Sequence, residues 1–180
     1  SHTRVIFTFS DNSKLYFNDQ RRFGWIKVTP GVILNEVKDL GPEPLEISFN
    51  QFKELFNPST GLRTRKKGRL KPVLMDPYFI AGIGNIYSDE ILWDAGFHPL
   101  KRVEKLKEND LKKIFDSIGE VLKKAIWYQG DSMDDYRLPN GEKGHYQEIQ
   151  NAYQQTGKKC KKGDSGIIER IKIVGRSAHF

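Results

Sequence analysis

One cysteine, Cys160, in 180 residues excludes an internal disulfide framework and suits a reducing cytosol. No apolar run is long enough to cross a bilayer, no lipidation signal is present, and the opening residues carry no secretory pattern. A membrane partner is therefore not expected. Internal repeats and low-complexity tracts are also missing. Acidic residues are too few to balance the basic ones: 23 Asp+Glu stand against 30 Lys+Arg, for a net charge of +7. That excess favours a polyanionic partner, and nucleic acid is the first choice. Hydrophobic residues at 37% allow a core of modest size, in one large domain or two small ones.

Short stretches dense in β-branched and aromatic residues come first. Residues 4–9 and 14–17 read as strands, Ser10-Asp11-Asn12-Ser13 as the turn between them, and residues 24–28 as a third strand. Two or three such strands are marginal alone and are expected to belong to a larger sheet. Pro30, Gly31, Gly41, Pro42 and Pro44 punctuate a linker. Ser48 is a candidate N-cap for a helix running to about Phe56, with Phe49, Phe52, Leu55 and Phe56 on one face. Helices are expected over 84–95, closed by Gly96, and over 109–127, where Leu111, Ile114, Ile118, Val121, Leu122 and Ala125 recur at three- and four-residue spacing. Residues 131–146 read as a long mobile loop. Residues 167–174 read as a strand, with a turn at Gly175 and a hairpin left incomplete at Phe180.

The chemistry concentrates around Gly82-Ile83-Gly84-Asn85. Glycines directly before a helix let a ligand approach the backbone, and the free N–H groups and positive helix end suit a phosphate. Asn85 adds a side-chain donor. Taken alone, a glycine pair at a helix start reads more often as a tight turn. The setting adds weight: residues 63–71 place six cations in nine positions just ahead of it.

The run from Lys71 through Asn85 to Glu90, continued by Ala95-Gly96-Phe97-His98-Pro99-Leu100, resembles the helix–two-turn–helix signature of the formamidopyrimidine-DNA glycosylase and endonuclease VIII family. Asn18-Asp19-Gln20-Arg21-Arg22-Phe23-Gly24 resembles that family's Arg-Arg-Phe loop and favours the formamidopyrimidine branch. Residues 130–157 resemble its lesion-capping loop and the approach to its zinc finger. The resemblance implies base-excision repair of damaged duplex DNA: a glycosylase and abasic-site lyase that removes oxidised purines such as 8-oxoguanine and formamidopyrimidines. It implies that Arg21 pairs with the base opposite the lesion, Phe23 wedges the stack, and Arg22 belongs to the same DNA-binding loop. It implies DNA contacts by His2, Lys66, Lys71, Gly84, Asn85, Tyr153 and Arg176, and a part for Arg176 in the elimination steps. A monomer, cytoplasmic and associated with the nucleoid, is expected. The alternative is a non-catalytic helix–two-turn–helix module that binds nucleic acid without regard to damage.

Two departures from the family pattern stand out. Cys160 matches the first of four zinc-binding cysteines, but Gly163 occupies the second position, so zinc, a family cofactor, is not expected to bind in this chain as given. The family's nucleophile is an N-terminal proline followed by glutamate, and nothing at Ser1-His2-Thr3 resembles it. A fragment that binds damaged DNA but forms no covalent adduct is expected. The expected architecture is α+β: a remnant of an N-terminal β-sandwich domain at 1–29, a linker at 30–47, a helical helix–two-turn–helix DNA-binding domain at 48–130, a lesion-capping loop and connection at 131–157, and a C-terminal β-hairpin, an incomplete zinc finger, at 158–180.

Overall fold

The structure, a computed structural model, describes residues 2–19, 22–26, 40–57, 67–133, 137–138 and 140–180. It divides into two compact units, residues 1–36 and 37–180.

The first unit is a hairpin. Strand β1 (Thr3–Thr8) pairs antiparallel with β2 (Lys14–Asn18), with Ile6 opposite Tyr16 and the register shifting between Thr3 and Val5. The turn forms where the Asp/Asn/Ser cluster foretold it. Asn12 takes a left-handed φ of 63°, Phe9 N–H donates to Ser13 O at 3.0 Å, and Asp11 Oδ1 accepts from Ser13 N–H at 2.9 Å. The third strand does not form over residues 24–26, and residues 27–28 lie outside the described residues. Apolar spacing alone could not supply the partner strand that a ladder needs.

The second unit is built on helices. Helix α1 (Phe49–Glu54) starts from Ser48 in a capping box with Gln51, whose side chain accepts back from Ser48 N–H at 2.8 Å. Helix α2 (Leu70–Leu74) is followed by turns, then by α3 (Asn85–Ala95), which Gly96 closes in the left-handed conformation. Helix α4 (Glu108–Trp127) carries the long apolar stripe, with Ile114 and Ile118 fully buried. The core joins Phe52, Leu70, Leu74, Phe79, Ile91 and Leu92 to that stripe. Each such side chain is worth about 1.5–3 kcal/mol relative to leaving it in water. Aromatic edges knit α1 to the rest: Phe52 meets Phe115 at 5.4 Å between centroids, and Phe56 meets Phe79 at 4.9 Å.

Beyond α4 the chain is better anchored than a long mobile loop. His145 N–H donates to Tyr128 O at 2.7 Å, Tyr146 N–H to Gly130 O at 3.0 Å, and Gly144 N–H to the buried Ser132 Oγ at 2.8 Å. Gly144 lies so close to the helix end that a Cβ there would stand 2.2 Å from Gln129 O. Both ends of the 131–146 segment are thus pinned, while residues 134–136 and 139 lie outside the described residues.

The C-terminal hairpin pairs β3 (Arg170–Ile173) with β4 (Arg176–His179). It is shorter than the expected strand over 167–174. Mutual backbone bonds between Glu169 and Phe180, at 2.8 and 3.1 Å, continue its ladder by one more pair.

Candidate nucleic-acid interface

Helix α3 begins at an unguarded end. Gly84, its N-cap, has no side chain to accept from the first-turn amides, and no acidic residue sits in that turn. A Cβ built on Gly84 would meet nothing within 4 Å, so the entrance opens outward. Gly82, two residues earlier, holds φ at +76°, a conformation that L side chains rarely adopt. The two glycines therefore do different work, one bending the chain and one clearing the approach. The Asn85 Oδ1 is buried without a hydrogen-bond partner. An anion placed at this entrance would meet amide donors and the positive helix end.

Behind the entrance lies a buried charge cluster. Lys71, expected as a surface phosphate contact, is only 1% exposed. Its ammonium is occupied by Asp89 and donates to Asn85 O at 3.2 Å. Burial pushes the Lys71 pKa down, opposed by the charge of Asp89 and its hydrogen bond, and reinforced by the nearby Arg176. Lys71 thus braces the first residue of α3 from behind. Asp89, one turn beyond Asn85 on the same helix, also accepts from His179 N–H at 3.0 Å and lies 2.9 Å from His179 Nδ1. The next residue, Glu90, is also buried, and its carboxylate accepts from the backbone N–H groups of Asn151 (2.9 Å), Ala152 (2.8 Å) and Tyr153 (2.8 Å). Helix α3 therefore ties down both the hairpin and the connection that leads to it.

Arg176 is exposed at the start of β4. With Lys71, Met75, Tyr78 and Val174 it lines a cleft of about 400 Å³. Tyr153 is half-buried, its ring edge-on to His179 at 5.1 Å. Lys71, Asn85, Tyr153 and Arg176 are thus gathered around one helix. Sequence reasoning passed over Asp89, Glu90 and His179. The available signal was a pair of carboxylates falling one turn after Asn85, on a face that core packing would otherwise fill with apolar residues.

Of the remaining expected contacts, His2, Arg21, Arg22 and Phe23 belong to the first unit and Lys66 to the second. Asp19 folds its loop by accepting from Arg22 N–H at 2.8 Å and Gly24 N–H at 2.6 Å. Arg22 takes a left-handed φ of 58°, and Phe23 stands 78% exposed. His2 is exposed, and its carbonyl accepts from Asp19 N–H at 3.1 Å. Arg21 and Lys66 lie outside the described residues.

Among the described residues, no group of three or more His, Cys, Asp or Glu could hold a metal ion. Cys160 offers one sulfur, and Gly163 supplies none where a second would fall. Hydrogen bonds hold the turn around it: Cys160 N–H donates to Gly166 O at 2.8 Å, Lys161 Nζ to Gln150 O at 3.1 Å, and Lys162 Nζ to Asp94 O at 2.7 Å. Lys162 also lies 4.9 Å from the Trp93 ring centroid, within cation–π range.

Two helices joined by paired turns, with an open helix entrance between them and the hairpin beside it, define a helix–two-turn–helix fold. The pattern of the Formamidopyrimidine-DNA glycosylase H2TH domain matches residues 40–137, and the chain belongs to that family. A formamidopyrimidine-DNA glycosylase of Solibacter usitatus is 39% identical over 179 residues, covering 99% of this chain and 64% of the relative. One from Prochlorococcus marinus subsp. pastoris is 37% identical over 184 residues, with 99% and 61% covered. The crystal structure of MutM (Fpg) from Thermus thermophilus superposes with a TM-score of 0.82 at 34% identity, covering 99% of this chain and 66% of that one. Lactococcus lactis Fpg in complex with abasic-site DNA gives 0.78 at 32%, covering 100% and 65%. The chain spans somewhat under two thirds of the length of these curated relatives. Among the described residues, no helix is long and apolar enough to cross a membrane.

Proposed function

We propose that this chain binds damaged duplex DNA as part of a base-excision repair glycosylase and abasic-site lyase acting on oxidised purines. The observation that carries this reading is the uncapped entrance of α3, with Asn85 at its first position and Lys71 braced behind it. The entrance grips a backbone phosphate through its amides and the Asn85 NH2 group. Arg176 binds a neighbouring phosphate and takes part in elimination on the abasic strand. Gly84 keeps the approach clear, and Tyr153 contacts the same backbone. Lys71 supports this grip indirectly, holding Asn85 from within. In the first unit, Arg21, Arg22 and Phe23 enter the space left by an extruded nucleotide and His2 adds a backbone contact; Lys66, in the second unit, adds another. The exposure of Phe23 on a loop folded by Asp19 supports that role. The domain divisions at 29, 47, 130 and 157 follow from the same reading. So do a monomeric state, a nucleoid location and a hairpin that holds together without zinc.

Fluorescence anisotropy tests the reading. A duplex carrying a tetrahydrofuran abasic analogue should bind more tightly than its undamaged counterpart, with affinity falling steeply as salt rises. Arg176→Ala should lower the slope of log Kd against log salt by about one. Equal affinity for the two duplexes would replace this reading with a helix–two-turn–helix module indifferent to damage. No measurable binding at low salt would remove both.

A further inference from the structure

We propose that Asp89 is a positioning residue for DNA binding, one carboxylate that sets Asn85 and Arg176 in a fixed relation to each other. This inference rests on the DNA-binding role proposed above. Asp89 is completely buried, at 0% exposure, and its two oxygens serve different elements. Oδ1 takes the Lys71 ammonium from α2, and that ammonium also holds Asn85 O at 3.2 Å. Oδ2 takes both the main-chain N–H and Nδ1 of His179, at 3.0 and 2.9 Å. His179 ends β4 and Arg176 begins it. Through one side chain, then, the open entrance of α3 and the strand bearing the exposed arginine are locked together.

Charge gives the lock its direction. Lys71 and Arg176 line one cleft and repel one another, and Asp89 is the anion that the buried ammonium touches. Its removal would leave a buried cation without a counter-charge, facing an arginine that is free to swing away. An asparagine of equal size cannot replace it. One end of a carboxamide accepts and the other donates, so either Lys71 or the His179 N–H would meet a donor.

The test is a double-mutant cycle in the full chain, binding the tetrahydrofuran duplex. Asp89→Asn should weaken binding about tenfold or more, in keeping with the loss of charge-assisted bonds. Arg176→Ala should weaken the parent chain clearly but cost little further once Asp89 is Asn. An undiminished Arg176→Ala effect in the Asp89→Asn background would overturn the inference, because simple destabilisation would leave that effect intact. Should Asp89→Asn fail to fold, His179→Ala serves in its place. It keeps the main-chain bond to Asp89 while removing the ring's contacts with Asp89 and Tyr153, and should show a smaller version of the same coupling; full additivity there overturns the claim equally. Hydrogen exchange of the His179 amide, measured without DNA, separates failure of the inference from failure of the DNA-binding reading. The amide should exchange at least about tenfold faster in Asp89→Asn, an opening less costly by RT ln 10. Unchanged protection refutes the lock even if the chain binds no DNA.

Discussion

Replacing Glu90 by glutamine removes one charge while keeping size and shape, at the point where α3 holds the connection leading to the hairpin. In the native structure Oε1 accepts from Ala152 and Tyr153 N–H and Oε2 accepts from Asn151 N–H, all at 2.8–2.9 Å. A glutamine can seat its oxygen in the doubly bonded position and keep two neutral bonds. Its NH2 group must then face the Asn151 N–H, donor against donor, with no water to intervene at a side chain 1% exposed. Losing one charge-assisted bond and leaving a buried amide unpaired costs about 2–4 kcal/mol. In a chain of this length each kcal/mol moves the thermal midpoint by roughly 2–4 °C, so Tm should fall by roughly 4–16 °C. Far-UV circular dichroism melts of parent and variant in one buffer measure it directly. A fall of less than about 2 °C would refute the reasoning, because Glu90 could then not be the anchor of residues 151–153.

Gly82→Ala should cost about 1–2 kcal/mol, since the strain lies in the backbone at φ +76° and the nearest atom to an added Cβ is Glu43 Oε2, at 3.9 Å. A lowered Tm together with weaker DNA binding is expected; an unchanged or higher Tm would count against the turn's role. Burial first, then the charge of Glu90, raises the Tyr146 pKa well above its ordinary value of 10.0. The folded state therefore keeps a proton that the unfolded state gives up above about pH 10, and stability should fall there by up to about 1.4 kcal/mol per pH unit. Urea denaturation from pH 9 to 11 should show this limb in the parent and a flatter one in Tyr146→Phe; identical slopes would exclude Tyr146 as its source. Prolonged chelation should leave Tm unchanged, and added zinc should not bind one-to-one; a chelator-dependent loss of Tm would overturn the metal-free reading of the hairpin.

Much of the local structure was legible in the residues, because local signals are written by short-range physics. Ser48 with Gln51 announced a helix start, Gly96 a helix end, the stripe from Leu111 to Ala125 a buried face, and Asp11-Asn12-Ser13 a turn. Each depends on neighbours within a few positions along the chain. The open entrance at Gly84 and Asn85 was legible for the same reason. Family resemblance and general basicity added the kind of ligand, since both are properties of the residues themselves.

What the tertiary structure alone decided is where the charges go. Nothing in a basic run distinguishes Lys71, sealed against Asp89, from an exposed neighbour, because its partner is 18 positions away. The bond from Asp89 to His179 spans 90 positions, and that from Glu90 to Tyr153 spans 63. Pairings at such separations exist only once the core has brought α2, α3 and β4 together, and burial then makes a satisfied carboxylate obligatory where sequence showed merely another acidic residue.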